Sequence, residues 1–417
     1  MLMNVVIMLA ILVVLALLGI PVYVALLGST IYLMFANGMP MTNVVTGLYE
    51  ALTKTSLMAV PFFVFAGSIM ANTSLGRRLI NLFAVIFRPF KAGLAISCLA
   101  SNALFGAISG SAPAATATFG KIVYQPLKDQ YDDSLAVGLI TSSGALSTII
   151  PPSIMLIMFG IATESSITDL FLAGIIPGLV IVLVVGGYLV FRTRKNERQS
   201  APSAREVGRA LWESVPVILM PVIVLGGIYG GFCTPTEAGA VAAIYSLVVG
   251  VFILRDIKPK ALLPILKDAA TTTAQVFILV AVSSVFGQAA SIAQFQTALL
   301  KLLSGLSPTA FLLILNVILL IVGCFFEGGS ATLILAPLVL PLAEKLGINI
   351  MHLGIVFVVN LSIGMFTPPF GLNIFVTQGV LKKSMGMISK SLVPYIICYI
   401  IVLLLITFIP QLSLVLL

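Results

Sequence analysis

Small hydroxyl and glycine residues beside two pairs of prolines are the part of this chain best suited to chemistry. Pro151-Pro152 and Pro368-Pro369 each interrupt a long apolar stretch, and the second pair follows the first by 217 residues. A cluster of small residues precedes each pair, Ser109-Gly110-Ser111 and Gly328-Gly329-Ser330. Paired hydrophobic segments that are interrupted by Gly or Pro in two halves of a chain are typical of a secondary-transporter binding site.

The backbone breaks predict binding of both an anion and a cation. Half-helices that begin at a break present free N–H groups and a positive dipole end to a carboxylate. Half-helices that end there offer carbonyl oxygens, which are hard ligands for Na⁺. The predicted helix starts follow Ser111, Pro152, Ser330 and Pro369. We predict one sodium site in each half, with ligands from Ser109, Gly110, Ser111, Ser143, Gly144, Ser147 and Pro151, and from Gly328, Gly329, Ser330, Gly364, Thr367 and Pro368. The candidate substrate-binding residues are Ser111, Ala112, Ser153, Ser330 and Asn373.

Glu327, beside the second cluster, is a candidate for coupling ions to substrate. A carboxylate at membrane depth is costly and is therefore a functional candidate, although a structural hydrogen-bonding role is the alternative. The first half offers no counterpart, because the aligned residue is Ile108. No Lys or Arg lies at the predicted midplane, so an anion there would be neutralised by helix dipoles and bound cations. This reasoning predicts sodium coupling, and proton coupling through Glu327 is the alternative hypothesis.

The composition predicts an all-α polytopic membrane protein. The chain has 417 residues, of which 60% are hydrophobic and 9% charged, and its mean hydropathy is +1.18. Its apolar runs are long enough to cross a hydrocarbon core of about 30 Å. Four scattered cysteines and one histidine favour neither a disulfide framework nor a metal cluster. The net charge of +8 is typical of loops that set membrane orientation and does not indicate nucleic-acid binding.

The hydrophobic pattern predicts crossings, re-entrant hairpins and interfacial helices. The predicted crossings are 3–19, 21–36, 56–72, 134–163, 170–191, 214–231, 237–254, 270–293, 352–380 and 391–412. Two stretches, 92–127 and 309–345, are too long for one crossing and break at the small-residue clusters, which predicts hairpins. Amphipathic stretches at Arg77–Arg88, Ile257–Lys267 and Thr297–Leu303 are expected along the interface. Thr234–Ala240 is interpreted as a helix start at a turn.

The charge distribution gives an orientation to this layout. With the N-terminus outside, 19 of the 22 basic residues fall in cytoplasmic loops, and only Lys54, Lys301 and Lys345 fall outside. Both termini are then non-cytoplasmic. The two broken crossings run in opposite directions, which predicts an inverted repeat of five crossings plus one hairpin per half. Within the single membrane domain 1–417, the first repeat is 1–191, the cytoplasmic connector 192–213 and the second repeat 214–417.

Five motifs in order resemble a known family. They are Phe105–Ala112, Gly144–Ser153, Leu170–Gly178, Thr234–Ala240 and Gly364–Pro369, and they span essentially the whole chain. They resemble the large membrane (M, DctM-like) subunit of tripartite ATP-independent periplasmic (TRAP) transporters.

The resemblance implies a function and partners. It implies a multi-pass subunit of the bacterial inner membrane that takes up organic acid anions with sodium by an elevator-type motion. The substrate class would be C4-dicarboxylates or sialic acid. A separate small membrane (Q) subunit and a periplasmic substrate-binding (P) protein would be partners. From the residues alone, a channel is a weaker alternative, because two opposed hairpins and a midplane site favour occluded states. An intramembrane enzyme is also weaker, since one histidine supports few catalytic sites. A stand-alone, proton-coupled organic-anion carrier is the alternative within transport.

Overall fold

The first half of the chain is a series of helices that break where the sequence predicts. The computed structural model describes residues 2–197, 200–294 and 305–417, so the predicted helix at Thr297–Leu303 lies outside the described residues. The helices of this half are α1 (Leu2–Leu17), α2 (Val22–Ala36), α3 (Thr42–Leu52), α4 (Ala59–Ala71), α5 (Leu75–Phe87), α6 (Gly93–Ser109), α7 (Ala112–Gln130), α8 (Asp133–Ser143), α9 (Ile154–Thr163) and α10 (Ile167–Arg192).

The second half of the chain is also a series of helices. Its helices are α11 (Ala204–Tyr229), α12 (Pro235–Val248), α13 (Pro259–Ile292), α14 (Pro308–Phe325), α15 (Gly328–Lys345), α16 (Ile350–Gly364), α17 (Leu372–Leu381), α18 (Met385–Phe408) and α19 (Gln411–Leu414). Ser, Thr or Asp side chains accept a backbone N–H at the start of many of them, which fixes the helix boundaries. Thr234 and Glu237 form a capping box at α12, in agreement with the predicted helix start.

Several helices are long and apolar enough to cross a membrane alone. Among the described residues these are α10, α11, α12 with its π-helical extension to Ile253, α13, α14 and α18. The pair α3–α4 passes the same test as one span bent by 56°. The other apolar helices are shorter. Among them, α9, α16 and α17 are short because the predicted crossings 134–163 and 352–380 are divided into α8–α9 and α16–α17.

One predicted helix was wrong, and one helix was not predicted. The stretch Ile257–Lys267 is not a separate interfacial helix, because α13 runs unbroken from Pro259 to Ile292 and tolerates Pro264 close to its start. No prediction covered α3, an amphipathic helix joined to α4 by the 3-10 turn Thr55–Met58.

The helices pack as two groups. The frame group contains α1–α4 and α11–α13, in which α13 contacts α2, α3 and α4, and α12 packs on α4. The core group contains α6–α10 and α14–α18, and its buried hydroxyls bond across the two halves of the chain. Thr148 Oγ1 lies 2.7 Å from Ser362 Oγ, and Thr141 Oγ1 lies 2.9 Å from Thr377 Oγ1.

Each hairpin packs against the broken span of the other half. Helix α7, the second arm of the first hairpin, lies on α17, and α15, the second arm of the second hairpin, lies on α9. The Tyr399 hydroxyl on α18 donates to the carbonyl oxygen of Ser142 at 3.0 Å, and Tyr395 donates to Leu135 at 3.1 Å. The two halves therefore form one interlocked core.

One face of the protein gathers the basic loops. Arg88 pairs with Glu206 at 3.0 Å and Arg192 with Asp132 at 2.6 Å, and Lys91 Nζ donates to the carbonyl oxygen of Arg194. Lys383 pairs with Asp133 from the other half. These contacts join loops that are distant in sequence, and we call their surface the basic face.

Candidate functional site

The first hairpin turns sharply at its small-residue cluster. Helix α6 ends at Ser109, and Gly110 adopts a left-handed conformation with φ of 58°. A glycine takes up this conformation without the steric cost of a Cβ atom. Ser111 then caps α7, since its Oγ accepts the N–H of Ala114 at 3.4 Å. The predicted helix start after Ser111 is therefore present.

The second hairpin is capped by Glu327, and here two predictions were wrong. The Glu327 carboxylate accepts the N–H groups of Gly329 at 2.9 Å and Ser330 at 2.8 Å, together with the Ser330 hydroxyl at 3.1 Å. Because this acceptor stands before the two glycines, α15 begins at Gly328 and not after Ser330. Glu327 thus has the position that Ser111 has in the first hairpin, not that of Ile108. Its hydrogen bonds supply the structural role that the sequence left open.

The first broken span turns at Pro151-Pro152. Helix α8 continues into the 3-10 turn Gly144–Thr148 before the prolines, whose peptide bond is cis. Ser153 is fully buried and caps α9, accepting from Leu156 N–H and donating to the carbonyl oxygen of Thr148. Both bonds are internal, so Ser153 does not face a ligand in this conformation.

The second broken span resumes later than predicted. Its cis Pro368-Pro369 bond follows the end of α16, but α17 begins at Leu372 and not directly after Pro369. A Cβ atom at Gly371 would lie 2.7 Å from the carbonyl oxygen of Met365, so the chain approaches itself closely here before it can form a helix. The buried Asn373 side chain donates to the carbonyl oxygen of Thr141 at 3.2 Å, and its Oδ1 has no partner in the described part of the chain.

A cavity of about 600 Å³ lies where both hairpin tips meet the frame group. Six predicted site residues line it: Ser109, Gly110, Ser111, Ala112, Glu327 and Ser330. The sequence reasoning missed its other polar lining residues, which include Ser68, Asn72, Thr148, Asp268, Thr272 and Gln275. The frame residues among them could not be predicted from a Gly or Pro interruption, because they lie within or at the end of ordinary helices.

The cavity lining is acidic. Glu327 and Asp268 supply carboxylates, whereas no Lys or Arg is among the described residues that line it. The remaining polar groups are neutral hydroxyls and amides. An anion in this cavity would therefore meet helix N-termini and hydroxyls but no basic side chain.

Other predicted ion ligands lie behind the first hairpin tip, in dry packing. A Cβ atom at Gly144 would fall 2.0 Å from Thr116 Oγ1, and one at Gly106 would fall 3.1 Å from Ser147 Oγ. Thr116 and Ser147 are both buried, and neither hydroxyl oxygen has a hydrogen-bond partner among the residues that the structure describes. Thr116 was not predicted. These unpaired oxygens are candidate ligands for a hard cation, whereas the Ser143 hydroxyl already donates weakly to Ile140 at 3.5 Å.

The predicted sodium ligands of the second half already make close contacts or hydrogen bonds within the protein. A Cβ atom at Gly328 or Gly329 would collide with the side chain of Met155 or Met158, respectively, and Gly364 lies against Gly323. The Thr367 hydroxyl donates to the carbonyl oxygen of Ile363 at 2.7 Å. Neither these residues nor Pro151 and Pro368 line the cavity.

Comparisons with known proteins agree on one family. The family described as "Tripartite ATP-independent periplasmic transporter, DctM component" matches residues 9–412. The chain is 37% identical to the C4-dicarboxylate TRAP transporter large permease protein DctM of Pseudomonas aeruginosa, covering 88% of this chain and 87% of that protein. It is 32% identical to the sialic acid TRAP transporter large permease protein SiaM of Vibrio cholerae, covering 92% and 91%. It is 35% identical to the isethionate TRAP transporter permease protein DctMQ of Oleidesulfovibrio alaskensis, but spans only 60% of that relative's length.

Solved transporters share the fold at low sequence identity. The crystal structure of the YdaH transporter of Alcanivorax borkumensis superposes with a TM-score of 0.63 at 14% identity, covering 89% of this chain and 88% of that one. The MtrF structure of Neisseria gonorrhoeae gives a TM-score of 0.54 at 13% identity, covering 88% and 83%. Family membership implies a small membrane protein and a periplasmic binding protein as partners. With its apolar helices, its broken spans and these relatives, the chain is a multi-pass transport protein and not an enzyme, and it belongs to the DctM family of TRAP transporter large permease subunits.

Proposed function

We propose that this protein carries an organic acid anion of the C4-dicarboxylate or sialic acid class across the bacterial inner membrane with sodium. The cavity at the hairpin tips is the observation that carries the proposal. It combines helix N-termini and hydroxyls, which suit a carboxylate, with two carboxylates and no described basic residue. A bound anion there needs a cation to offset the negative charge, and sodium can supply it.

Two sodium sites belong to the proposal. Thr116 and Ser147 support the first site, because buried hydroxyl oxygens without partners are costly unless something pairs with them. Support for the second site is electrostatic: Glu327 places a negative charge at the other tip, where a cation would be attracted. Elevator-type motion of the core group against the frame group would carry both sites across the membrane.

The proposed orientation places the basic face in the cytoplasm and both termini outside. The small membrane subunit and the substrate-loaded binding protein would then act together with the opposite face. The relatives' names include C4-dicarboxylate, sialic acid and isethionate, which are all organic anions, so the pocket of the binding protein is the better guide to the individual substrate.

Reconstitution tests the proposal. Vesicles that contain this chain and the small subunit should take up a labelled organic acid only with loaded binding protein and an inward sodium gradient. This chain alone should transport poorly. Equal uptake driven by a proton gradient in sodium-free buffer would favour the Glu327-based, proton-coupled alternative. Vigorous uptake by the isolated chain, unchanged by binding protein, would favour a stand-alone carrier.

A further inference from the structure

The boundary between the frame and core groups has a cavity near each end. The cavity at the hairpin tips is lined by Leu279 of α13 and Met158 of α9. A second cavity of about 570 Å³ begins at the next residue of α13, Val280, and three residues further along α9, at Ile161. This second cavity, which we call the vestibule, opens at the face opposite the basic face, where α3 and the end of α9 approach each other.

An ion pair joins the two groups at the vestibule. Lys54 Nζ lies 2.6 Å from Glu164 Oε1, and the side chains are 35% and 76% exposed, respectively. Lys54 stands in the bend between α3 and α4 of the frame, and Glu164 ends α9 of the core. Among the described residues, the other side-chain hydrogen bonds that α3, α4 and α9 form stay within their own helix or the adjoining turn. The pair is therefore a direct polar link from the α3–α4 bend of the frame to the end of α9 in the core.

The backbone positions Glu164 for this contact. Glu164 has a left-handed conformation, with φ of 56°, and its N–H bonds to the carbonyl oxygen of Gly160. The helix therefore ends at this residue, and its side chain projects from the end of α9 towards the frame. Any sliding of the core against the frame changes the distance from Glu164 to Lys54.

Lys54 is also the basic residue of the vestibule. Among the described residues that line this cavity it is accompanied by the acids Glu50 and Glu164 and by neutral side chains such as Ser283. While the pair is formed, the ammonium group is neutralised by Glu164. Once Glu164 moves away, the ammonium group can attract a carboxylate from the solution.

We propose that Lys54 and Glu164 form a latch on the substrate-entrance side, and that opening the latch frees Lys54 to receive the carboxylate of the incoming substrate. The inference rests on the proposed function, because it assumes an anionic substrate that arrives through the vestibule. An exposed ion pair suits this role, since such pairs are weak and break readily.

The latch is tested by the accessibility of a cysteine at Ser283, which is buried in the vestibule wall. Ser283→Cys is reacted with a small membrane-impermeant thiol reagent in the full complex, with Cys233→Ser to remove background. Glu164→Gln and Lys54→Met should each speed the reaction about two- to fivefold, the range expected for an exposed ion pair. The exchanged pair Lys54→Glu with Glu164→Lys should react like the parent. Glu50→Gln removes the same charge from the same cavity and is the matched control, which should not change the rate.

Uptake tests the second role of Lys54. Lys54→Met should raise the substrate concentration for half-maximal uptake, whereas Glu164→Gln, which leaves the lysine free, should not. Identical labelling rates in all variants, or an equal increase in Glu50→Gln, would overturn the latch. Unchanged half-saturation in Lys54→Met would overturn the carboxylate role. Labelling does not depend on transport, so the expected labelling pattern without any sodium-driven uptake would refute the proposed function and leave the latch standing.

Discussion

Gly364 packs directly on Gly323, so that a Cβ atom added at Gly364 would lie 2.4 Å from the carbonyl carbon of Gly323. The residues 217 positions earlier, Ser147 and Gly106, make the matching contact in the first half, where a Cβ atom at Gly106 would lie 2.5 Å from Ser147 Cα. In both halves the first arm of a hairpin thus crosses a broken span with backbone against backbone.

Alanine at either crossing should destabilise the core. Gly364→Ala and Gly106→Ala force a methyl group into backbone atoms that cannot move aside as a flexible side chain could, at a cost of about 1–3 kcal/mol. A loss of thermal stability in detergent measures the effect. Gly187→Ala in α10 is the control, because nothing lies within 4 Å of its added Cβ. Unchanged stability of Gly364→Ala would mean that the two spans separate easily.

Removing an unpaired hydroxyl behind the first tip should weaken sodium binding. Thr116→Val keeps the side-chain shape but loses Oγ1, and Ser147→Ala loses Oγ. Each should raise the sodium concentration for half-maximal uptake by about fivefold, the equivalent of about 1 kcal/mol. Thr116→Ser retains the hydroxyl and should stay close to the parent. A sodium dependence that is identical in all four proteins would exclude these oxygens as ligands.

The capping role of Glu327 should be separable from the role of its charge. Glu327→Ser supplies the cap that Ser111 provides in the first hairpin, so stability should be kept, whereas Glu327→Ala should lose about 1 kcal/mol. Both variants lack the carboxylate in the cavity and should need more sodium for uptake. Unfolding curves and sodium titrations distinguish the two effects. Normal sodium dependence of Glu327→Ser would restrict this residue to its structural role.

The start of α11 should be stable to mild acid. The N–H of Ser203 and then the guanidinium of Arg88 donate to Glu206 and lower its pKa from 4.5 to about 2. Because the pKa in the folded protein is depressed, the cap is complete above about pH 4.5 and is lost as the pH falls towards 2. Hydrogen exchange at residues 203–207, corrected for intrinsic rates, should be unchanged from pH 7 to 5. Glu206→Gln should exchange faster in this segment, and Glu197→Gln in the preceding loop should not.

Cysteine labelling in intact cells should establish the orientation. A cysteine at Lys195, on the basic face, should react only with membrane-permeant reagents, whereas one at Leu417 should also react with impermeant ones. Cys233→Ser removes the half-buried native thiol as a background signal. The opposite pattern would reverse the proposed orientation and place the Lys54–Glu164 latch in the cytoplasm.

The sequence predicted where the chain breaks, because proline, glycine and clustered serine disrupt helices through local chemistry, but it misplaced the helix starts near Ser330 and Pro369. It could not predict contacts that depend on the packing of distant helices. Thr116 and Gln275 look like ordinary helical residues until α8 and the hairpin tips are placed beside them. Glu327 was aligned with Ile108, one turn before its structural match, Ser111. The glycines after Glu327 were interpreted as the hairpin tip, although they form the first turn of α15. The helix α3 was missed because its moderate polarity resembles that of a loop.

The packing of each hairpin against the broken span of the other half has a consequence for biogenesis. When the ribosome has completed α7, which ends at Gln130, its packing partner α17 (Leu372–Leu381) has not yet been synthesised. The first hairpin therefore waits in the insertion machinery or the bilayer with one side uncovered until almost the whole chain has been translated. Assembly of the core is therefore expected to be a late event, and a chain truncated before α17 should lack this packing partner of the first hairpin.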